Sequence, residues 1–328
     1  MSTNFDVLGI GNALMDILVP VDDAFLSEHG LEKGSMALID NDRVKVLGGA
    51  FQNASETPRE IAGGSAGNTV VGIAKMGVKA AYLAKIGQDG VGTRLAEGYR
   101  EAGLHFSSTP STTGTPSGQC LIAVTPDGQR TMSTCLGTNT EFGMEDINEA
   151  EIKRAGTIYM EGYLFDDESA KAGFVKAAEI AQANDRLVAL TLSDSFCVGR
   201  HRASFAQLVD HHVNILFANE DEMMALAEAD DLETAIKAFA RDGLTLCVTR
   251  SEKGSLIIDS GKRYDIPAAP VAKVVDTTGA GDQYAAGVLA GRAKGLSWDK
   301  AGYLGSLAAA EVISHFGARP EKTIQLED

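Results

Sequence analysis

Val274-Val275-Asp276-Thr277-Thr278-Gly279-Ala280-Gly281-Asp282 is the stretch around which the rest of the chain falls into place. A β-branched pair feeds a turn of small residues, and the turn opens an apolar helical run over 280–293. Gly279, Ala280 and Gly281 let the backbone come close to a ligand with its N–H groups turned inward. The start of a helix adds partial positive charge at the same point. Together they suit the charge of a phosphoryl group in transfer. Asp282 falls in the first turn, where a carboxylate accepts the proton of an attacking hydroxyl. The same position also suits a plain helix-capping acid.

Outward from this stretch, short β-rich runs alternate with amphipathic helical runs. Strands are expected over 5–11, 81–86, 157–160, 187–192, 213–218 and 245–249, and helices over 65–76, 91–102, 168–184, 280–293 and 298–314. Gly77 and Gly103 stand where a helix stop is needed. This alternation predicts an α/β fold: a doubly wound, mainly parallel sheet with helices on both faces. Two segments break the rhythm. Residues 12–55 hold the short strand-like run MALID, and residues 105–137 are rich in Ser, Thr, Gly and Pro, with strand-like runs over 119–124 and 130–135 around Pro126-Asp127-Gly128. They are expected to form a small β-rich lid on one domain spanning 1–328.

Three further motifs carry chemistry. Ala62-Gly63-Gly64-Ser65-Ala66-Gly67-Asn68 leads into a helix; paired glycines serve as a hinge or close-approach site, or only as tight packing before an N-cap. Ser65 and Asn68 lie three apart on one face and can bond sugar hydroxyls. Gly9-Ile10-Gly11-Asn12-Ala13-Leu14-Met15-Asp16 resembles a dinucleotide fingerprint but has Leu14 in place of the third glycine, which speaks against a dehydrogenase. Asp16 is then a carboxylate able to take both donors of a vicinal diol, or a solvated loop acid. Asn219-Glu220-Asp221-Glu222 supplies oxygen ligands suited to Mg²⁺, or simply acids favoured by a helix dipole. No Walker A sequence occurs.

Composition narrows the field. Among 328 residues, 29 Lys and Arg stand against 45 Asp and Glu, a net charge of −16. So acidic a chain is a poor match for nucleic acid or an anionic membrane as main partner. A small anion still binds through a few N–H groups and arginines. Hydrophobic residues at 44% and charged residues at 23% are those of an ordinary globular chain. A chain of this length buries about 75% of the surface its unfolded form exposes, so it needs no staples. Cys120, Cys135, Cys197 and Cys247 lack the spacing of a zinc site and read as reduced core thiols of a cytoplasmic protein. The N-terminus has no signal-peptide character, and no run approaches a membrane span.

The combination of Gly63-Gly64 with Asn68, Asn219-x-x-Glu222, and Asp276 to Asp282 resembles the ribokinase-like (PfkB) carbohydrate kinase family, in order and spacing over nearly the whole chain. Within it, Gly11 to Ile17, Leu192-Ser193 with Phe196, and Ile215 to Glu220 are similar to the adenosine-kinase branch. The resemblance implies ATP and Mg²⁺ and, as in some members, K⁺. It implies that Asp16 holds a ribose diol with Asn12, Ser65 and Asn68, and that Gly63 and Gly64 are the hinge of the lid. Asp282 would be the base, Gly279, Ala280 and Gly281 the anion hole, and Arg130 a lid arginine reaching the transferring phosphate. Glu222 would organise Mg²⁺ through water. Asn219, Thr249, Gly254 and Thr278 would lie on the nucleotide side, and Asp276 with Thr278 near a monovalent cation.

Two departures stand out. Glu161 matches a position where ribokinase has a sugar-binding Glu and the adenosine-kinase branch a small residue. The TxG expected after the strand at 245–249 reads Thr249-Arg250-Ser251, with glycine delayed to Gly254. Met36, Leu38, Leu136, Tyr163 and Leu164 are candidate base contacts. The expected activity is phosphoryl transfer to the primary hydroxyl of a nucleoside, with free ribose or a related sugar as the alternative acceptor, in a monomer or homodimer.

Overall fold

The computed structural model describes residues 4–326. Among the described residues fourteen strands form two sheets. In chain order they are β1 (Phe5–Ile10), β2 (Leu14–Pro20), β3 (Met36–Leu38), β4 (Arg59–Ala62), β5 (Ala80–Leu83), β6 (His105–Ser107), β7 (Gly118–Val124), β8 (Arg130–Cys135), β9 (Ala155–Glu161), β10 (Leu187–Thr191), β11 (Ile215–Asn219), β12 (Thr245–Thr249), β13 (Ser255–Asp259) and β14 (Lys262–Ile266).

The large sheet has the order β14-β13-β12-β11-β10-β9-β1-β5-β6. From β12 to β6 it is parallel throughout, and β13 and β14 add an antiparallel edge. Its central strands are apolar on both faces, as a covered parallel sheet requires: Leu8, Ile10, Ile158 and Met160 are buried on one face, and Val7 and Tyr159 on the other. One face packs on helices Ser65–Lys75, Ala280–Ala293 and Trp298–Val312, and the other on Glu168–Gln182 and Ser195–His212. The doubly wound α/β expectation therefore holds. The winding reverses between β1 and β9, and an open α/β sheet places its ligand outside the carboxyl ends of its strands at such a switch point. Asn12, Glu161, Asn219 and Thr249 sit at or just past those ends.

The small sheet has the order β3-β8-β7-β2-β4. Strand periodicity divides its faces. Met15, Ile17 and Val19 on β2, with Leu121 and Ala123 on β7, are buried in the core shared with Leu47 and Phe51 of helix Asn41–Gln52. The alternate residues Asp16, Leu18, Cys120, Ile122, Met132 and Thr134 face the cleft between the two sheets. Its composition differs from the expected lid segments at two places. His105–Ser107 pairs with β5 in the large sheet, and Arg59–Ala62, outside 12–55, joins the small one beside β2. Both are short edge strands, too brief to show a period. The β13–β14 hairpin was also unforeseen, although its turn, Ser260-Gly261, has positive φ at both residues (47° and 77°), the signature of a two-residue hairpin. Among the described residues no helix is long and apolar enough to cross a membrane.

Candidate active site

A cleft of about 1140 Å³ opens along the carboxyl ends of the parallel strands, under the small sheet. Its floor is the start of helix Ala280–Ala293. Gly279 takes a left-handed conformation (φ +79°), and no side chain caps the helix; the Ala280 N–H donates to the Thr277 carbonyl at 3.2 Å, which leaves the N–H groups of Gly279 and Gly281 for a ligand. A Cβ on Gly279 would lie 2.7 Å from Ala318, whereas Gly281 faces open space. Asp282 lies in this first turn, accepting from Ser65 Oγ at 2.6 Å and from Asn68 Nδ2 at 3.5 Å. Burial pushes its carboxyl up to about 6, against the pull of those two bonds.

Helix Ser65–Lys75 thus reaches Asp282 through Ser65 and Asn68, and the glycines before it explain how. Gly64 has φ +88°, and a Cβ there would strike the Asn12 carbonyl; one on Gly63 would strike the Asp16 carboxylate. Gly63 N–H donates to the Leu14 carbonyl at 2.7 Å. The pair therefore brings the helix start against β2, on which Asp16 stands. Burial raises Asp16 to about 6, Arg319 and Arg130 pull it down, and the charge of Asp282 adds to the rise.

Glu161 and Glu222 are both buried, at 1% and 6% exposure. Glu161 accepts from Asn12 Nδ2 at 2.9 Å and from the Ala66 N–H at 2.7 Å, and burial raises it to about 7 against those bonds. It braces Asn12 and the start of helix Ser65–Lys75. Glu222 forms a capping box with Asn219: its oxygens accept from Asn219 N at 3.0 Å and Nδ2 at 2.8 Å. It too is raised to about 7 by burial, opposed by the Asn219 N–H. Among the described residues no three His, Cys, Asp or Glu side chains converge as a metal cage. Glu222 lines the cleft and fits a magnesium ion that keeps its waters and enters with nucleotide phosphates.

Several expected residues lie elsewhere than foreseen. Gly254 (φ +81°) packs on the backbone of Ile266 to Ala268 and does not line the cleft, while Thr249 does. Leu164 is core rather than cleft lining. Arg130, expected to point at the transferring phosphate, places Nη1 2.6 Å from Asp276 Oδ2. Asp276 accepts as well from Gly317 N–H at 3.0 Å and from Thr278 N–H at 3.0 Å and Oγ1 at 2.7 Å. Burial would raise its carboxyl, but those donors and Arg130 outweigh it and hold it below the usual range. With both oxygens doubly engaged, Asp276 has no lone pair left for a monovalent cation, so the residues here do not fit that expectation. Arg319 was missed. It enters the cleft from residues 315–320, and nothing in that loop's local sequence marks it.

The model of the pfkB family carbohydrate kinases matches residues 37–324. The chain belongs to that family. Its kinases transfer phosphoryl groups to sugars and nucleosides, and use ATP and Mg²⁺ in general. A solved adenosine kinase from Sinorhizobium meliloti is 42% identical, with a TM-score of 0.88 over 98% of this chain and 97% of that one. A Rhizobium etli structure described as a probable sugar kinase protein is 40% identical, with a TM-score of 0.88 over 98% and 96%. The guanosine-inosine kinase of Escherichia coli K12 is 29% identical over 253 residues, 74% of this chain; the match spans 57% of the length of that relative.

Proposed function

We propose that this pfkB kinase moves the γ-phosphoryl of ATP·Mg²⁺ to the primary 5′-hydroxyl of a ribose-containing acceptor, with a nucleoside, adenosine first, as that acceptor. One observation carries the reading: the buried-side carboxylate of Asp282 sits beside uncapped helix N–H groups and is tied by Ser65 and Asn68 to the element that meets Asp16. In the step itself, Asp282 takes the hydroxyl proton as the acceptor oxygen bonds to phosphorus. The bond from phosphorus to the β,γ-bridging oxygen breaks, and its electron pair leaves on ADP. The N–H groups of Gly279 and Gly281 receive the equatorial oxygens, joined by that of Ala280 once it turns from the Thr277 carbonyl, and Mg²⁺ supplies charge neutralisation when bound. A base ionising near 6 is a stronger proton acceptor than an ordinary Asp yet is still charged at neutral pH.

Asp16 holds the sugar diol, with Asn12 and Asn68 beside it. Gly63 and Gly64 are the hinge on which the small sheet closes as a lid, excluding water from the transferring group. Asn219, Thr249 and Thr278 face the nucleotide side, and Glu222 acts on Mg²⁺ through water. The acceptor end also exposes apolar surface suited to a base: Met36 is 52% exposed, Leu38 60% and Phe196 80%, all lining the cleft. Glu161, the residue that favours a free sugar, lines the cleft but accepts one internal bond on each oxygen and so braces Asn12 and the start of helix Ser65–Lys75.

A panel of adenosine, guanosine, inosine, other nucleosides, ribose and fructose, each with ATP·Mg²⁺, tests this by ADP release. The expected result is a kcat/KM for a purine nucleoside well above that for either sugar. Preference for ribose or fructose replaces this reading with the sugar-kinase one.

A further inference from the structure

Arg319 stands on a loop that the rest of the molecule holds firmly. Gly317 N–H donates to Asp276 Oδ2, and Gln283 Nε2 donates at 3.0 Å to both the Ala318 and Asn68 carbonyls. Lys75 Nζ bonds the Pro320 carbonyl. From this fixed backbone the Arg319 side chain turns into the cleft. Its Nε donates to Asn68 Oδ1 at 3.2 Å, and its guanidinium lies 5.7 Å from the ring centre of Tyr99. Its Nη2 is shut off from solvent and has no partner. A buried charged donor left unmade is costly, and a ligand oxygen is the plain way to complete it.

We propose that Arg319 is an acceptor-binding and positioning residue: Nη2 donates to an oxygen of the bound sugar moiety beside Asp16, while Nε fixes the Asn68 amide so that its NH₂ group faces Asp282. The proposal rests on the phosphotransferase reading above and adds to it a residue from the far end of the chain. The acceptor is favoured over ATP because the groups around this guanidinium, Asn68, Tyr99, Tyr82 and Asp16, all belong to the acceptor end. Of the other arginines lining the cleft, Arg200 is paired with Asp166, and Arg130 has Nη1 on Asp276 although its Nε is also buried without a partner. Arg319 also favours ionised Asp16. That carboxylate is faced by Arg319 from the loop, Arg130 from β8, Asp282 from helix Ala280–Ala293, the Cys120 thiol from β7 and Tyr99 from helix Gly90–Glu101.

The test compares wild type, Arg319→Lys and Arg319→Gln in steady-state kinetics, with acceptor titrations by calorimetry in the absence of ATP and melting curves as a fold control. Both variants are expected to raise the acceptor KM about 10- to 100-fold and leave the ATP KM within about twofold. In Arg319→Gln the acid limb of kcat/KM for the acceptor moves to higher pH, and in Arg319→Lys it moves less. An unchanged acceptor KM overturns the proposal, whether kcat falls or only the melting temperature drops. A rise confined to the ATP KM also overturns it. Wild type that binds adenosine or ribose but releases no ADP sinks the functional reading alone, since the calorimetric loss in Arg319→Gln is still readable. Wild type that binds none of the panel sinks both.

Discussion

The two ends of the cleft are built on different principles. At the phosphate end the working groups are backbone N–H groups, held by a glycine whose Cβ would collide with Ala318 and by an Asp276 whose oxygens are all engaged. At the acceptor end they are charged side chains, and some are incompletely satisfied: Arg319 Nη2 is unpaired, and among the described residues the Asp16 carboxylate accepts no hydrogen bond. A fixed cradle suits a ligand group that is the same in every turnover. An unsatisfied set suits a ligand whose own hydroxyls must complete it, which is where discrimination is strongest. The comparison predicts that damage at the first end falls on kcat or on the fold, and damage at the second on acceptor affinity.

The largest expected effect is that of Asp282→Asn. General-base catalysis is worth about 10²–10⁴-fold, so kcat should fall by that much with ATP KM and melting temperature nearly kept. Coupled ADP release measures it, and near-normal turnover would remove Asp282 from the mechanism. Asp16→Ala should instead weaken acceptor binding about 10- to 100-fold, the worth of lost hydrogen bonds to a charged group, and spare ATP. A variant that lost ATP affinity while keeping the acceptor would dissolve the distinction between the two ends.

Gly279→Ala probes the cradle as architecture. An Ala at φ +79° is strained, and its Cβ meets the Ala318 backbone, so the unfolding free energy should drop by about 1–3 kcal/mol in denaturant titration. Gly281→Ala, where space is open, should cost far less. Equal losses would mean that the tight backbone approach at Gly279 is not what holds the loop.

What the sequence showed of this site follows the same division. The phosphate end was legible because its chemistry is backbone chemistry: small residues at Gly279 to Gly281 and an acid one turn in are adjacent along the chain. The central strands were legible because burial on both faces leaves runs such as Val7–Ile10 free of polar side chains. The acceptor end was legible only in fragments, Asp16 as a carboxylate and Ser65 with Asn68 on one helix face, because Asp16, Asn68 and Arg319 meet through tertiary contacts. Arg319 and Asn68 are 251 positions apart, and a lone arginine after a final helix carries no local signal. The ion pair of Arg130 went unforeseen for the same reason: Asp276 is 146 positions away. The edge strands Arg59–Ala62 and His105–Ser107 escaped because three or four residues cannot display a period.

A smaller effect separates stability from activity. Asp16 and Asp282 ionise near 6 in the folded chain, against 3.8 for an ordinary Asp. The folded state therefore binds more protons than the unfolded between those values, and these two groups make stability decline as pH rises from about 4 to about 6. On the proposed mechanism activity runs the other way, because both carboxylates act in their charged form. Melting temperature and kcat measured over pH 4.5–7.5 should cross in trend, and Asp16→Asn should melt higher than wild type at pH 7. A wild-type melting temperature that rose with pH while Asp16→Asn melted lower would show that the acceptor end is not strained by its own charge.

The smallest effect expected is that of the monovalent cation. A carboxylate offers about four lone-pair sites. Those of Asp276 are taken by Thr278 twice, by Gly317 and by Arg130, which brings a positive charge of its own to within 2.6 Å. A potassium ion would have to displace one of these donors, and a buried guanidinium left without its partner is destabilising. Exchanging K⁺ for Na⁺ or tetramethylammonium at constant ionic strength should therefore change kcat by less than about twofold, well under the tenfold that 1.36 kcal/mol represents. Activation of tenfold or more by K⁺ would mean that Arg130 leaves Asp276 during turnover. The phosphate end would then be no fixed cradle but a second place where the ligand-free protein waits for a charge to be supplied.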